Sequence, residues 1–255
     1  MSFRLFAIGL TASFGLAWLS VVVVPFFKLH TPTPVRFQEG IDEQEGIYFP
    51  KRAGRVVNGA AVYAENGCYQ CHTQVIRPTY AGMDLARPDV GGLSPKVNPE
   101  GIDSRRESNV FDYSGLDFAM IGSTRIGPDL MNLVPRVEAR IREQAKADEE
   151  GDLADGEVAG RARDYLYKHL YDPRLFPQLI GWSSCPSMKF LFEKREIKGQ
   201  PSNDALDVPV KDGWEVVPGD RADALVSYLL SLEHDDPVPA TMDYAPPAPA
   251  GDSQG

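Results

Sequence analysis

The chain has 255 residues and 43% hydrophobic content, enough for one packed domain plus an anchor or large insertions. With 36 Asp and Glu against 26 Lys and Arg, its net charge of −10 excludes the basic face that a nucleic-acid binder needs and suits solubility or steering toward a basic partner. Three cysteines do not make a disulfide framework, and 21 prolines with 23 glycines forecast much loop.

In chain order, Leu5 to Phe27 reads LFAIGLTASFGLAWLSVVVVPFF without a charge. A helix rising roughly 1.5 Å per residue over that length crosses a hydrocarbon layer about 30 Å thick, so residues 1–29 are predicted to be a transmembrane anchor. A cleaved signal peptide is the alternative, but such peptides have shorter apolar regions, and no A-x-A-like site follows VVVVPFF. Arg4 flanks one end and Lys28 and Arg36 the other, so the positive-inside rule does not choose an orientation.

Residues 30–54, with HTPTPV from His30 to Val35, read as a proline-punctuated stalk. VVNGAAVYAEN (56–66) predicts a short helix stopped by Gly67 at the C′ position. Residues 77–104, rich in Pro, Gly and Asp, read as loop. The charged stretch 136–168 predicts a solvated helix, a break near Gly151, and a second helix leading to His169. Asp220 is placed to cap a helix running to about Leu232, with Ala222, Leu225, Val226 and Leu229 on one face. Residues 234–255, Pro- and Ala-rich and without an apolar period, read as a disordered tail. No internal repeat is found, and the fold class expected is all-α with long loops.

The chemistry lies in GCYQCHT, residues 67–73. C-x-x-C-H is the attachment pattern for c-type haem. Two thiols, here Cys68 and Cys71, add across the porphyrin vinyl groups, and the adjacent His72 ligates the iron. Two other readings compete. A zinc site would want a second cysteine pair or spaced histidines, whereas Cys185, His30, His169 and His234 lie at no ligand-like spacing. A redox dithiol would want a βαβ setting that the pattern lacks. Covalent haem c is assembled outside the bacterial cytoplasm, so the haem reading puts the domain after the anchor on the periplasmic side.

An electron carrier of this kind needs a second axial ligand, often methionine. Met120, Met131, Met188 and Met242 are the downstream candidates, and Met83 is too close in sequence to cross the haem. Met188, in the proline-marked SSCPSMKFLF before the final helix, is preferred. The plain alternative is a gap-filling core methionine.

Four segments together resemble the monohaem cytochrome c subunit, subunit II, of cbb3-type haem–copper oxidases. They are GAAVYAENGCYQCHTQVIRP (Gly59 to Pro78), GSTRIGPDL (Gly122 to Leu130), HLYDPR (His169 to Arg174) and ALVSYLLSL (Ala224 to Leu232). The resemblance implies a class I cytochrome c-like domain over 55–233, with a charged helical insertion around 136–165, tethered by the single N-terminal helix. It implies one covalent haem c on Cys68 and Cys71, with His72 as iron ligand and the Pro128 carbonyl on its other ring nitrogen. It makes Arg77 and Arg125 candidates for the haem propionates, with surface solvation as the ordinary alternative. Gly59 and Tyr63 would meet Tyr228 where the first and last helices cross.

The implied partners are a haem–copper catalytic subunit, the other oxidase subunits, a cytochrome electron donor and the bacterial inner membrane. No catalytic acid, base or nucleophile is expected in this chain. Two departures stand out. Cys185 takes the place where the family has methionine, and Met188 the place of an aromatic, so the sixth ligand is Met188, Cys185 or absent. A thioether favours ferrous iron and a high potential, and a thiolate the reverse, so an electron relay to oxygen favours Met188. The 136–165 insertion is longer than the family's and reads as surface decoration.

Overall fold

The computed structural model describes residues 2–29, 32–42, 44–87, 90–92, 105–117, 119–175, 183–234 and 236–242. Helix α1 (Phe3–Trp18) runs through a π-helical turn, Leu19–Val23, into α2 (Val24–Leu29). Pro25 has no N–H to give, and the ladder widens just before it, with Val24 N–H reaching back to the Leu19 carbonyl. Ser13 and Ser20 turn their hydroxyls onto the carbonyls of Leu10 and Ala17, both at 3.1 Å, so neither presents a free polar group. Nothing in α1 is buried, and Phe3–Lys28 is long and apolar enough to cross a membrane.

Two short strands form within the 30–54 stretch. β1 (Val35–Arg36) pairs antiparallel with β2 (Ile47–Tyr48). Phe37, Tyr48 and Phe111 then meet edge-on, at 6.1 Å and 5.5 Å between centroids. Arg52 donates to the Ser114 carbonyl at 3.0 Å and to the Asp112 carbonyl. Aromatic area that an extended spacer would leave in water is thus packed on the domain. His30, Thr31 and Glu43 lie outside the described residues.

The core forms where α3 (Gly54–Glu65) crosses α6 (Asp220–Leu229). A Cβ on Gly59 would sit 2.0 Å from the Ala224 carbonyl oxygen and 2.6 Å from Tyr228 Cβ, so only glycine lets the helices touch. The Tyr63 and Tyr228 rings meet at a tilt beside it, 5.5 Å between centroids. Helix α6 is capped by Gly219 rather than Asp220. Asp220 instead joins Asp223 in the first turn, where carboxylates face the positive end of the helix dipole. Gly59→Ala is expected to cost about 3 kcal/mol, because the obstacle is backbone and cannot turn away. Gly156→Ala, with open space around it, should cost nothing. Denaturant midpoints of the two variants check this.

Helices α4 (Leu133–Ala147) and α5 (Asp155–Tyr171) form the expected charged pair, with Gly151 at a φ of 86° between them. Val158, Ala162, Leu166 and Leu170 turn one face of α5 into the protein. The first amides of α4, Leu133 and Val134, both donate to the Leu232 carbonyl, so the chain leaving α6 caps α4.

The all-α expectation holds in part: beside the helices, β3 (Phe192–Glu196) and β4 (Trp214–Pro218) make an antiparallel hairpin. Only Phe192 of β3 is buried, so that strand shows no alternation of apolar and polar residues. The hairpin joins the 183–191 loop to α6, where Gly219 N–H bonds the Leu191 carbonyl at 3.1 Å. The tail expectation over 234–255 fails at its start. His234 is fully buried, its amide on Asn132 Oδ1 and its Nε2 3.0 Å from the Arg106 carbonyl. Asp235 and residues 243–255 lie outside the described residues.

Candidate haem-attachment site

Gly67, at a φ of 67°, ends α3 and starts a single 3-10 turn, Cys68–Gln70. The amides of Cys71 and His72 both return to the Cys68 carbonyl, at 3.1 Å and 3.0 Å. This turn is tight enough to gather two thiols and an imidazole within five residues of chain. All three cysteines of the protein are free and half-buried.

Segment 121–130 is laced onto this turn. Ser123 N–H bonds the Tyr69 carbonyl, Gly127 N–H that of Cys71, and Leu130 N–H that of Thr73, all at 2.8–2.9 Å. The lacing aims the Pro128 carbonyl at His72 Nδ1, 2.8 Å away. Proline has no N–H, but its carbonyl is free to accept, and this contact fixes Nδ1 as the protonated nitrogen and leaves Nε2 to ligate. Two glycines make the approach possible. A Cβ on Gly127 would lie 2.2 Å from the His72 ring, and one on Gly122, which has a φ of 88°, would lie 2.2 Å from the His72 carbonyl.

Arg77 and Arg125 lie behind the turn, and both converge on Asp84, which is fully buried. Arg125 also reaches Thr73 Oγ1 at 2.7 Å, the Val75 carbonyl at 2.9 Å and Asp129 Oδ2 at 3.3 Å. Burial pushes the Asp84 carboxyl up, but hydrogen bonds from Arg125 and Arg77 outweigh it and hold the acid well below the ordinary carboxylate range. The bonds of both arginines to Asp84 brace the 73–84 loop against 125–129. Thr73 and Asp129 complete this brace, with Thr73 Oγ1 donating to Asp129 Oδ2 at 2.6 Å. Asp129 was readable in the G-P-D-L block, whereas Asp84 carries no sequence signal.

The second sulfur source is the loop before β3. Met188 N–H bonds the Leu170 carbonyl at 2.8 Å, and Arg174 holds the Cys185 carbonyl at 3.1 Å and Ser187 Oγ at 3.2 Å. Met188 is buried in the main core, alongside Leu170 and Leu191, with Cys68 at the edge of the same cluster. Cys185 is near enough to Cys71 that burial first, and Cys71 next, push its thiol pKa up. Met131 packs in a separate cluster with Ile76 and Val90, and Met83 is 75% exposed. Residues 176–182 lie outside the described residues.

The competing chemistries fare less well. Burial, together with Cys185 and Cys71, pushes the Cys68 thiol up to about 12, the opposite of what a reactive redox dithiol needs. Among the described residues, no group of three or more His, Cys, Asp or Glu is placed to hold a metal ion, as a zinc site requires. The donor set fits a covalent haem: two thiols, an adjacent imidazole with its second nitrogen satisfied, and glycines clearing the ring. The half-buried His169 has an enclosed Nδ1 without a hydrogen-bond partner, as does His234. Compared with protein-family models and with curated proteins, the chain matches none.

Proposed function

We propose that the chain is a membrane-anchored c-type cytochrome with one haem, passing single electrons as a subunit of a cbb3-type terminal oxidase. The observation that carries this reading is the His72–Pro128 contact at 2.8 Å, set beside both thiols of the C-x-x-C pair. When bound, a haem c would supply a one-electron couple at Cys68, Cys71 and His72. The chain's own residues do the rest. Pro128 orients His72, the Asp84–Arg77–Arg125 brace holds the turn, and the 183–188 loop carries the sulfur that would serve as the second iron ligand. We assign that sulfur to Met188, with Cys185 as the alternative.

The apolar helix Phe3–Lys28, unburied along its length, would insert in the bacterial inner membrane and leave the haem domain in the periplasm. The acidic surface would receive a basic cytochrome donor, and oxygen reduction would belong to the haem–copper catalytic subunit.

Purification of the full chain from its native membrane tests the assignment. A haem–copper catalytic subunit is expected to come with it. A homogeneous cytochrome with no such partner would instead mean a free-standing carrier. In the near-infrared, thioether and thiolate ligation differ, and a thiolate signature would replace Met188 with Cys185.

A further inference from the structure

We propose that His169 is a positioning residue on the face of the haem site opposite His72, where its ring N–H holds the sulfur that the 183–188 loop brings to the sixth position. The inference rests on the cytochrome reading above and adds a residue to it. Its starting point is an anomaly. His169 Nδ1 is fully enclosed and has no hydrogen-bond partner. An enclosed, unsatisfied polar atom costs about 1–3 kcal/mol, so it calls for a partner that the polypeptide around it does not supply.

Three observations locate that partner. Burial first and the neighbouring His72 next push the His169 imidazole pKa down, in keeping with a place beside the attachment site. It stands at the end of α5, one residue before Leu170, whose carbonyl takes the Met188 amide at 2.8 Å; the sulfur-bearing loop is thus pinned beside it. Tyr165, one helical turn earlier on the same face, lies tilted against the His169 ring at 5.8 Å between centroids. The imidazole is thus packed against Tyr165, next to the residue that pins the loop carrying both candidate sulfurs.

A neutral imidazole has one N–H. Donated to an axial sulfur, it withdraws electron density from the iron and favours the reduced state, whether the sulfur is thioether or thiolate. It also keeps the sulfur seated on the metal.

The test uses full-length protein with haem attached and compares wild type with His169→Phe and His169→Gln, the second retaining an N–H donor. All three should carry covalent haem. The phenylalanine variant should show a lower midpoint potential and about tenfold tighter carbon monoxide binding in the ferrous state, the equivalent of one net hydrogen bond. Glutamine should restore both toward wild type. Unchanged potential and affinity in His169→Phe would overturn the proposal. So would a wild-type electron paramagnetic resonance spectrum of two imidazoles on the iron, which would make His169 the ligand itself. If His169→Phe does not accumulate, His169→Leu makes the same comparison. Absence of covalent haem in the wild type would sink the cytochrome reading instead, a separate result.

Discussion

The Cys68→Ser, Cys71→Ser double variant is expected to run as a colourless band in denaturing electrophoresis, at full chain length. Serine matches cysteine in size and cannot add across a vinyl group, so the change removes the covalent links while leaving local packing intact. The turn itself should survive, because it is built from backbone: Gly67 at positive φ and two amides on the Cys68 carbonyl. The visible spectrum of membranes carrying the variant should lose the covalently held haem entirely. Each single variant should keep at most one link and stain weakly. Haem staining of the double variant at wild-type strength would refute the attachment site.

The second large effect is expected at Asp84→Asn. Asp84 is fully buried and answers two guanidiniums, Arg125 at 2.6 Å and Arg77 at 2.9 Å. Removing the anion leaves Arg125, itself 21% exposed, facing a neutral amide. Breaking such a pair by removing one partner costs about 3 kcal/mol, the lower end of the range because Arg77 can still turn to water. For a chain of this size the loss is a Tm drop of roughly 10 °C. The pH dependence follows from the direction of the shift. The folded carboxyl ionises below its ordinary range, so its contribution is fully present above about pH 4 and is lost as pH falls through and below that value. The variant's Tm should therefore fall less steeply with acid than that of the wild type, and Tm measured between pH 7 and pH 3 reads this. Parallel curves would show that Asp84 is not ionised in the folded protein.

Sequence patterns read best where chemistry and local geometry coincide. Gly67 was legible as a helix stop because a left-handed residue there has few alternatives, and its φ of 67° agrees. The Gly59–Tyr228 crossing and the Pro128 carbonyl came with the resemblance, since each depends on a pairing across more than 50 residues that spacing alone cannot reveal. The charged pair α4 and α5 followed from composition and one glycine. Other features stayed hidden for physical reasons. The Asp84 carboxylate shared by Arg77 and Arg125 is hidden because a sequence shows charges but not their partners, and Asp84 sits in a loop with no period. The β3–β4 hairpin has one strand whose burial does not alternate. Val35 to Arg52 reads as spacer because its anchoring depends on Phe111, far along the chain. In the sequence His169 offers only a spacing unsuited to zinc, because a histidine's meaning lies in what its nitrogens lack, which only coordinates show.

Every assignment at the site depends on two thioether bonds forming at Cys68 and Cys71. Intact-mass measurement of the full chain purified from its native membrane tests them in one step. The predicted result is the polypeptide mass plus one haem, persisting after denaturation and acid extraction. A mass equal to the polypeptide alone would contradict the account.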